Sequence, residues 1–399
     1  MPPNSNMNRD SIGLSVRRAR RAKGLSLEQA AGLAGHTKGW LSKVENGHLA
    51  LDKRADVANL AAALEVSADT LIGEPVPGIQ AGRHAWNLSP LREVLLDASP
   101  ADPPDIRARP VVALGALNDQ VDQALRWSDY PRLIADLPSL IGELEVQAAT
   151  ADRAERDEAL RLLVPATASA VITLRYAGQP DLAWVAAERG REAAALLGDP
   201  VWQGAAAFGA AHARSSANRP RALMSTPQAA DRMEPLAGKS LLAREVYGML
   251  RLSAALACAV AGDHEGAAQH GGEAASVACW MDDRPDAWEL FGPSNTAVWL
   301  TSLAVEAGNA EQALEYASVA EPRALASGNR RAALRMEKAR AYVMLGGRTR
   351  EAVTELRAAE RLSPAQVHNN PLVRDLVRQM LDDAGGRDLR GLAWRMGVI

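Results

Sequence analysis

The residues best suited to chemistry lie close together near the N-terminus, in the stretch HTKGWLSKVENG from His36 to Gly47. Lys38 and Lys43 bring positive charge to a segment whose pattern predicts a short helix, and Gly39 lies inside that helix. A glycine in a helix interior costs about 1 kcal/mol relative to alanine, so its presence indicates that another molecule approaches the backbone closely. Because lysine side chains attract negative groups, the segment predicts an anionic partner.

The distribution of charge along the chain agrees with this interpretation. Residues 9–54 carry ten basic and four acidic side chains, a net charge of +6, whereas the whole chain carries -3. The remaining residues therefore sum to -9. A basic first part ahead of an acidic second part favours contact between the first part and a polyanion. Taken alone, the pattern fits a solvated charged surface equally well.

Other residue groups look chemical but lack the required spacing. Gly238–Ser240 resembles the end of a P-loop, yet Met233 occupies the place of the first glycine. His264 and His270 are six positions apart, so they do not align as two metal ligands on one helix, and the two cysteines form no CxxC pair. No GxSxG, HExxH or GxGxxG motif occurs. We therefore expect no enzymatic activity, no metal site and no cofactor.

Composition indicates a globular, helical and cytoplasmic protein. The chain has 399 residues, of which 47% are hydrophobic and 23% charged, with only two cysteines. No apolar run approaches the length of a membrane helix, and the polar N-terminus does not resemble a secretion signal. Frequent alanine and rare phenylalanine predict an all-α fold with hardly any strand. We expect a cytoplasmic location, associated with the nucleoid when DNA is bound.

Five short helices are predicted in the first 75 residues, and they position the basic stretch. A helix over residues 12–24 carries five basic side chains and stops at a glycine. Ser26 with Gln29 three positions later forms a capping-box pattern for the second helix. Thr37 caps a third helix that runs to about Asn46. A short turn between the second and third helices is typical of a helix-turn-helix module.

The segment GLSLEQAAGLAGHTKGWLSKVENG, followed by LAAALEVSADTL, resembles the lambda-repressor-like, XRE-type DNA-binding domain over about residues 11–73. The resemblance implies a DNA-binding domain at residues 1–75, whose helix from Thr37 to Asn46 lies in the major groove. It also implies a salt bridge between Arg20 and Glu45. The predicted DNA-contacting residues are Arg17, Arg21, Thr37, Lys38, Gly39, Trp40, Ser42, Lys43 and Asn46.

Two positions in this module need separate comment. Trp40 would either stack on a sugar or a thymine methyl, or cover the edge of the module. Leu27 occupies a place where the family usually has a polar residue that contacts DNA. The operator of a relative therefore cannot be transferred to this chain.

The remaining chain is predicted to form helical repeats. Residues 76–110 read as a linker with a short helix at Leu91–Asp97. Beyond them, small-residue turns at 178, 218, 262, 308 and 347 separate pairs of helical segments. These units resemble tetratricopeptide repeats of increased length, which implies an α-solenoid at residues 111–399 with a concave face for an effector.

Five side chains on the first helices of these units are candidates for the effector groove. Asn295 and Trp299, like Tyr247 and Arg251, are four positions apart and share a helix face. Trp202 holds a similar place one unit earlier. The alternative for each is ordinary packing between helices.

The combined layout resembles bacterial XRE-type regulators with tetratricopeptide-like repeats, of a kind common in actinobacteria. It implies a homodimeric transcriptional regulator that binds double-stranded DNA at inverted half-sites and senses a peptide, small-molecule or protein effector. The alternative is a protein-interaction scaffold, in which the repeats bind a protein partner and the head only anchors the complex to DNA.

Overall fold

A computed structural model describes residues 12–72, 86–214, 220–383 and 386–399, with the side chains of residues 214, 220–224 and 383 left aside. These residues form 21 α-helices and two short 3-10 helices, and no strand occurs in these ranges. The predicted all-α class is confirmed. The helices of the first part, which we call the head, are α1 Ile12–Ala22, α2 Leu27–Leu33, α3 Lys38–Glu45, α4 Arg54–Leu64 and α5 Ala68–Ile72.

Local capping signals set the bounds of the head helices. The Ser26 hydroxyl accepts a hydrogen bond from the Gln29 backbone N–H, and the Gln29 side chain accepts one from the Ser26 N–H, which completes the capping box. The Thr37 Oγ1 accepts from the Trp40 N–H at the start of α3. Gly47 follows α3 with a φ of 77°, which favours glycine.

The second part, which we call the body, consists mainly of paired helices. Residues 76–85 of the predicted linker and position 218, a predicted turn, lie outside the described residues. The helices of the body are α6 Ser89–Asp97, α7 Val111–Arg126, α8 Tyr130–Thr150, α9 Arg153–Tyr176, α10 Pro180–Leu197, α11 Pro200–Arg214, α12 Pro220–Met233, α13 Leu241–Val260, α14 His264–Ala278, α15 Pro293–Glu306, α16 Ala310–Val319, α17 Gly328–Leu345, α18 Thr349–Leu362, α19 Pro364–His368, α20 Pro371–Asp383 and α21 Arg387–Arg395.

Successive helices of the body pack as neighbours in pairs, from α7 with α8 to α17 with α18. Gly178, Gly262, Gly308 and Gly347 lie in the turns within four of these pairs and have φ between 65° and 81°. Glycine adopts this conformation without a steric penalty, so each turn ends one helix and starts the next. The predicted turns and helix pairs at these four positions are confirmed, and the body is a helical repeat-like region.

The first helices of the pairs form a closed ring. Contacts run from α7 to α9, α11, α13, α15 and α17 in order, and α17 returns to contact α7. The closing contact includes a hydrogen bond from the Ser327 Oγ to the Arg126 carbonyl at 3.0 Å and one between the Ser363 and Ser128 hydroxyls at 2.8 Å. The inner faces of these helices therefore surround a common interior.

Three C-terminal helices, α19 to α21, pack against the last pair and were not anticipated. They share a hydrophobic cluster with α17 and α18 that includes Leu356, Val373 and Leu392. Leu372 on α20 instead packs into the hydrophobic core of the head. No helix among the described residues is both long enough and apolar enough to cross a membrane.

Candidate nucleic-acid interface

One face of α3 is open to solvent while the opposite face is buried. Leu41, Val44 and Glu45 are buried against the rest of the head. Side chains three or four positions apart share a helix face. The other residues of α3 therefore project together from the opposite face, toward solvent. Thr37, Lys38, Gly39, Lys43 and Asn46 are exposed, and Ser42 is half-buried.

The exposed face of α3 is positively charged and sterically open. Neither Lys38 nor Lys43 forms an ion pair within the part of the chain that the structure describes. A Cβ atom built at Gly39 meets no atom within 4 Å, so the protein itself does not require a glycine there. The space beside Gly39 is available to another molecule.

Gly13 has a structural role that the sequence analysis missed. A Cβ atom at Gly13 would lie 2.1 Å from the carbonyl oxygen of Val44, far inside contact distance. The missing side chain therefore lets α1 pack directly on the end of α3. The only signal in the sequence is a glycine within a helical pattern, which by itself does not identify the opposing atom.

The predicted pair of Arg20 and Glu45 is present in the head. The Arg20 Nε lies 2.5 Å from Glu45 Oε1, and its Nη2 lies 2.8 Å from Oε2. The hydrogen bond to Glu45 raises the pKa of Arg20, against the opposing effect of burial. Such a two-bond pair fastens α1 to α3 and fixes the direction of the exposed face.

Trp40 stacks on another side chain of the head. Its ring lies parallel to that of His36, with the centroids 3.6 Å apart and 6° between the planes. The His36 Nε2 lies 3.1 Å from the Asp56 Oδ1 of α4, which ties this stack to the next helix. Trp40 is half-buried, so packing accounts for most of its surface. Its contact with DNA stays a prediction.

The remaining head positions differ in exposure. On α1, Arg21 is exposed and Arg17 is half-buried, and both predicted DNA contacts stay predictions. Leu27 at the start of α2 is half-buried and packs against the hydrophobic core of the head. The leucine therefore contributes to packing where a polar side chain would face outward.

The head is docked on the body by hydrogen bonds from the segment that follows α3. The Leu51 N–H donates to the Asp375 Oδ2 at 3.0 Å, and the Ala50 N–H donates to the Gln379 Oε1 at 3.2 Å. Both acceptors belong to α20, which also supplies Leu372 to the core of the head. This joint leaves the exposed face of α3 uncovered.

A buried ionic cluster completes the joint. The carboxylate of Glu306, whose side chain is 0% exposed, accepts from the Arg54 N–H at 2.7 Å and from the Arg54 Nη1 at 2.6 Å. It also accepts from the Arg340 Nη2 at 2.9 Å, and Arg340 donates to Glu337 and to the Asp52 carbonyl. Burial raises the pKa of Glu306, but the two arginines outweigh it and bring the pKa below its ordinary value.

The groove candidates of the body fall into two groups. Asn295 and Trp299 lie on α15 at the inside of the ring, 0% and 7% exposed. The Asn295 Nδ2 donates to the Glu289 carbonyl at 2.9 Å. The guanidinium carbon of Arg330 lies 5.5 Å from the Trp299 ring centroid. A cationic side chain from α17 therefore joins them, and the sequence analysis did not identify it.

The other candidates make contacts within the protein. Arg251 bonds the hydroxyl of Tyr247 at 3.1 Å and forms ion pairs with Asp231, Glu234 and Glu273. Its hydrogen-bonding groups thus link α12, α13 and α14. Trp202 is half-buried and packs against the main hydrophobic cluster of the body. No contact among the described residues assigns these three side chains to an effector, and that role stays a prediction.

Comparison with known families identifies the type of the head. Residues 11–71 match a family model described as a helix-turn-helix domain. Comparisons with curated proteins and with solved structures find no match to the chain. The matched range covers α1 to α5, and such a domain supports DNA binding.

Within the described ranges, no group of three or more His, Cys, Asp or Glu side chains is placed to hold a metal ion.

Proposed function

We propose that this protein is a transcriptional regulator, whose XRE-type head binds an operator and whose tetratricopeptide-like body receives an effector. The observation that carries the proposal is the exposed basic face of α3, held rigidly by the Arg20–Glu45 pair while its opposite face is buried. A rigid, uncovered helix of this charge fits the major groove of DNA.

The head binds as part of a homodimer in this proposal. Helix-turn-helix domains read inverted half-sites about one helical turn apart, so two heads are needed to cover one operator. The docked arrangement of the head supports regulation, since Glu306 and Arg340 of the body contact Arg54 and the Asp52 carbonyl of the head. An effector alters DNA binding only if it prefers one arrangement of head and body over another.

Binding to DNA upstream of the protein's own gene tests the proposal. The wild type is titrated at several salt concentrations beside the double variant Lys38→Ala/Lys43→Ala, with Lys239→Ala in the body as an exposed control. We expect saturable wild-type binding that exceeds binding to random DNA. The double variant should bind weakly with a salt slope shallower by about 2, since each phosphate contact contributes about 1. The control should bind like the wild type.

The same experiment separates the regulator from the scaffold. If the double variant binds DNA as tightly as the wild type while both remain folded, the basic face of α3 is not the DNA-binding surface. The body would then carry the function through a protein partner. Analytical ultracentrifugation with and without operator DNA measures whether two chains bind together.

A further inference from the structure

The interior of the ring contains aromatic and cationic side chains from several helices. The Trp299 ring centroid of α15 lies 6.3 Å from that of His212, and His212 lies 4.5 Å from Phe208, both on α11. Phe208 in turn lies 5.2 Å from Trp288. Together with Arg330 over Trp299, these side chains place a guanidinium group beside a wall of aromatic rings.

Two arginine side chains bring positive charge into this interior. Arg175 on α9 and Arg330 on α17 both act on His212 and Tyr176 through their charges. The nearest carboxylate to Arg330 is Glu289, whose Oε2 lies 4.0 Å from its Nη2. From the head, Asp69 and Arg54 also act on Arg175. The two head charges act on Arg175 in opposite directions, and Arg54 is itself paired with Glu306.

Burial makes the charged forms of these side chains unfavourable. Burial lowers the pKa of Arg175 and of Arg330, and it raises the pKa of Glu289. Burial together with the two guanidinium charges lowers the pKa of His212 to about 3, so the imidazole is neutral near pH 7. A buried cation is stable when an anion accompanies it. The interior therefore favours a negative group.

Three buried polar atoms in this region have no hydrogen-bond partner among the described residues. They are the Arg175 Nε, the Trp299 Nε1 and the Asn295 Oδ1, two donors and one acceptor. Buried polar atoms in native proteins nearly always have a partner, and an unmade bond is costly. These unmade bonds show that the polar groups of this region are not all satisfied by the protein itself.

We infer that the interior of the ring binds a small aromatic anion, whose negative group lies between Arg175 and Arg330 and whose ring packs against Trp288 and Trp299. A small molecule fits better than a protein segment because the ring of first helices is closed by the contact of α17 with α7. Resting on the proposed function, this ligand is the effector of the regulator. The charges of Arg54 and Asp69 in the head act on Arg175, so binding of the ligand at Arg175 should change how tightly the head docks on the body.

Calorimetric titration with benzoate tests the inference, with the neutral isostere benzamide as the matched ligand. Benzoate should bind the wild type saturably at concentrations up to about 10 mM, a range that detects millimolar affinity. Benzamide should bind at least about tenfold more weakly, because it cannot form charge-assisted hydrogen bonds. Equal binding of the two ligands, or no saturable binding of benzoate, would overturn the inference.

Variants locate the site within the ring. Arg330→Gln and Arg175→Gln should each weaken benzoate binding at least about tenfold, through loss of one charge-assisted bond. Arg161→Gln, on α9 but half-exposed and paired with Glu158 at 3.1 Å, should leave it unchanged. Far-UV circular dichroism checks that each variant is folded. If folded Arg330→Gln and Arg175→Gln bind benzoate like the wild type, the anion does not lie between these arginines.

The ligand site and the proposed function fail independently. The variant Lys38→Ala/Lys43→Ala should lose operator binding and retain wild-type benzoate binding, because the two lysines face solvent on the head. Absence of benzoate binding in a protein that binds its operator saturably refutes only the ligand site. Undiminished DNA binding by the lysine variant, together with normal benzoate binding, refutes DNA recognition by the basic face of α3 and leaves the ligand site in place.

Discussion

Replacing Glu306 by alanine should weaken the docking of the head on the body. The side chain of Glu306 is fully buried at the end of α15 and accepts three hydrogen bonds, two from Arg54 and one from Arg340. Its removal leaves Arg340, 3% exposed, with Glu337 and a backbone carbonyl as partners. The first N–H of α4 also loses its acceptor.

The expected cost follows from what each partner loses. Breaking a buried ion pair by removing one partner costs about 3–5 kcal/mol, because the other charge stays buried. Arg340 keeps Glu337 at 2.6 Å, and Arg54 is 35% exposed, so solvent replaces part of its loss. We therefore expect about 3 kcal/mol, at the lower end of that range. Glu311→Ala on the exposed side of α16 should change stability by less than about 0.5 kcal/mol.

Two measurements examine this prediction. Equilibrium urea unfolding gives the change in free energy, and hydrogen exchange of the segment around Leu51 and Arg54 reports the joint directly. Both amides should exchange faster in Glu306→Ala, while the amides of α9 should be less affected. The effect should diminish in acid: the pKa of Glu306 is lowered, so its contribution is complete above the ordinary carboxyl pKa and is lost as pH falls through the folded value.

A double-mutant cycle provides the refutation. If the cost arises from the unpaired charge of Arg340, then Glu306→Ala combined with Arg340→Ala should cost less than the sum of the single changes by at least about 1 kcal/mol. Additive costs would show that the two side chains do not stabilise each other. Unchanged exchange at Leu51 and Arg54 in the single variant would refute the role of Glu306 in docking.

Two further predictions concern packing and pH dependence. Gly13→Ala should destabilise the head by about 1–3 kcal/mol in thermal or urea unfolding, because the new methyl group meets the Val44 carbonyl. Gly32→Ala on α2, whose Cβ would meet no atom within 4 Å, should instead be neutral or stabilising. Glu360, bonded by Arg395 and His368, has its pKa lowered to about 2, against burial, which raises it. The stabilisation that Glu360 provides is therefore complete above the unfolded pKa of about 4.3 and is lost toward pH 2. The difference in free energy of unfolding between the wild type and Glu360→Gln should fall to zero over that interval.

Local signals in the sequence were sufficient to predict the helices and the exposed basic face of the head. Caps such as Ser26 and Thr37, and turn glycines such as Gly178 and Gly262, act within a few residues of their own position. Their effect is therefore visible in a short window of sequence. The exposed and buried faces of α3 follow from helical periodicity in the same way.

The tertiary structure decided every feature that depends on residues far apart in the chain. Closure of the ring brings α17 to α7, docking brings Glu306 and Asp375 to the segment after α3, and Gly13 is needed because of Val44. The charges of Arg175 and Arg330 both act on His212 and Tyr176 because α9, α11 and α17 pack around one interior. No local sequence pattern marks such contacts, since the type of a charged residue does not show whether its side chain is buried or exposed. Their energies depend on desolvation and distance, which the folded chain alone defines.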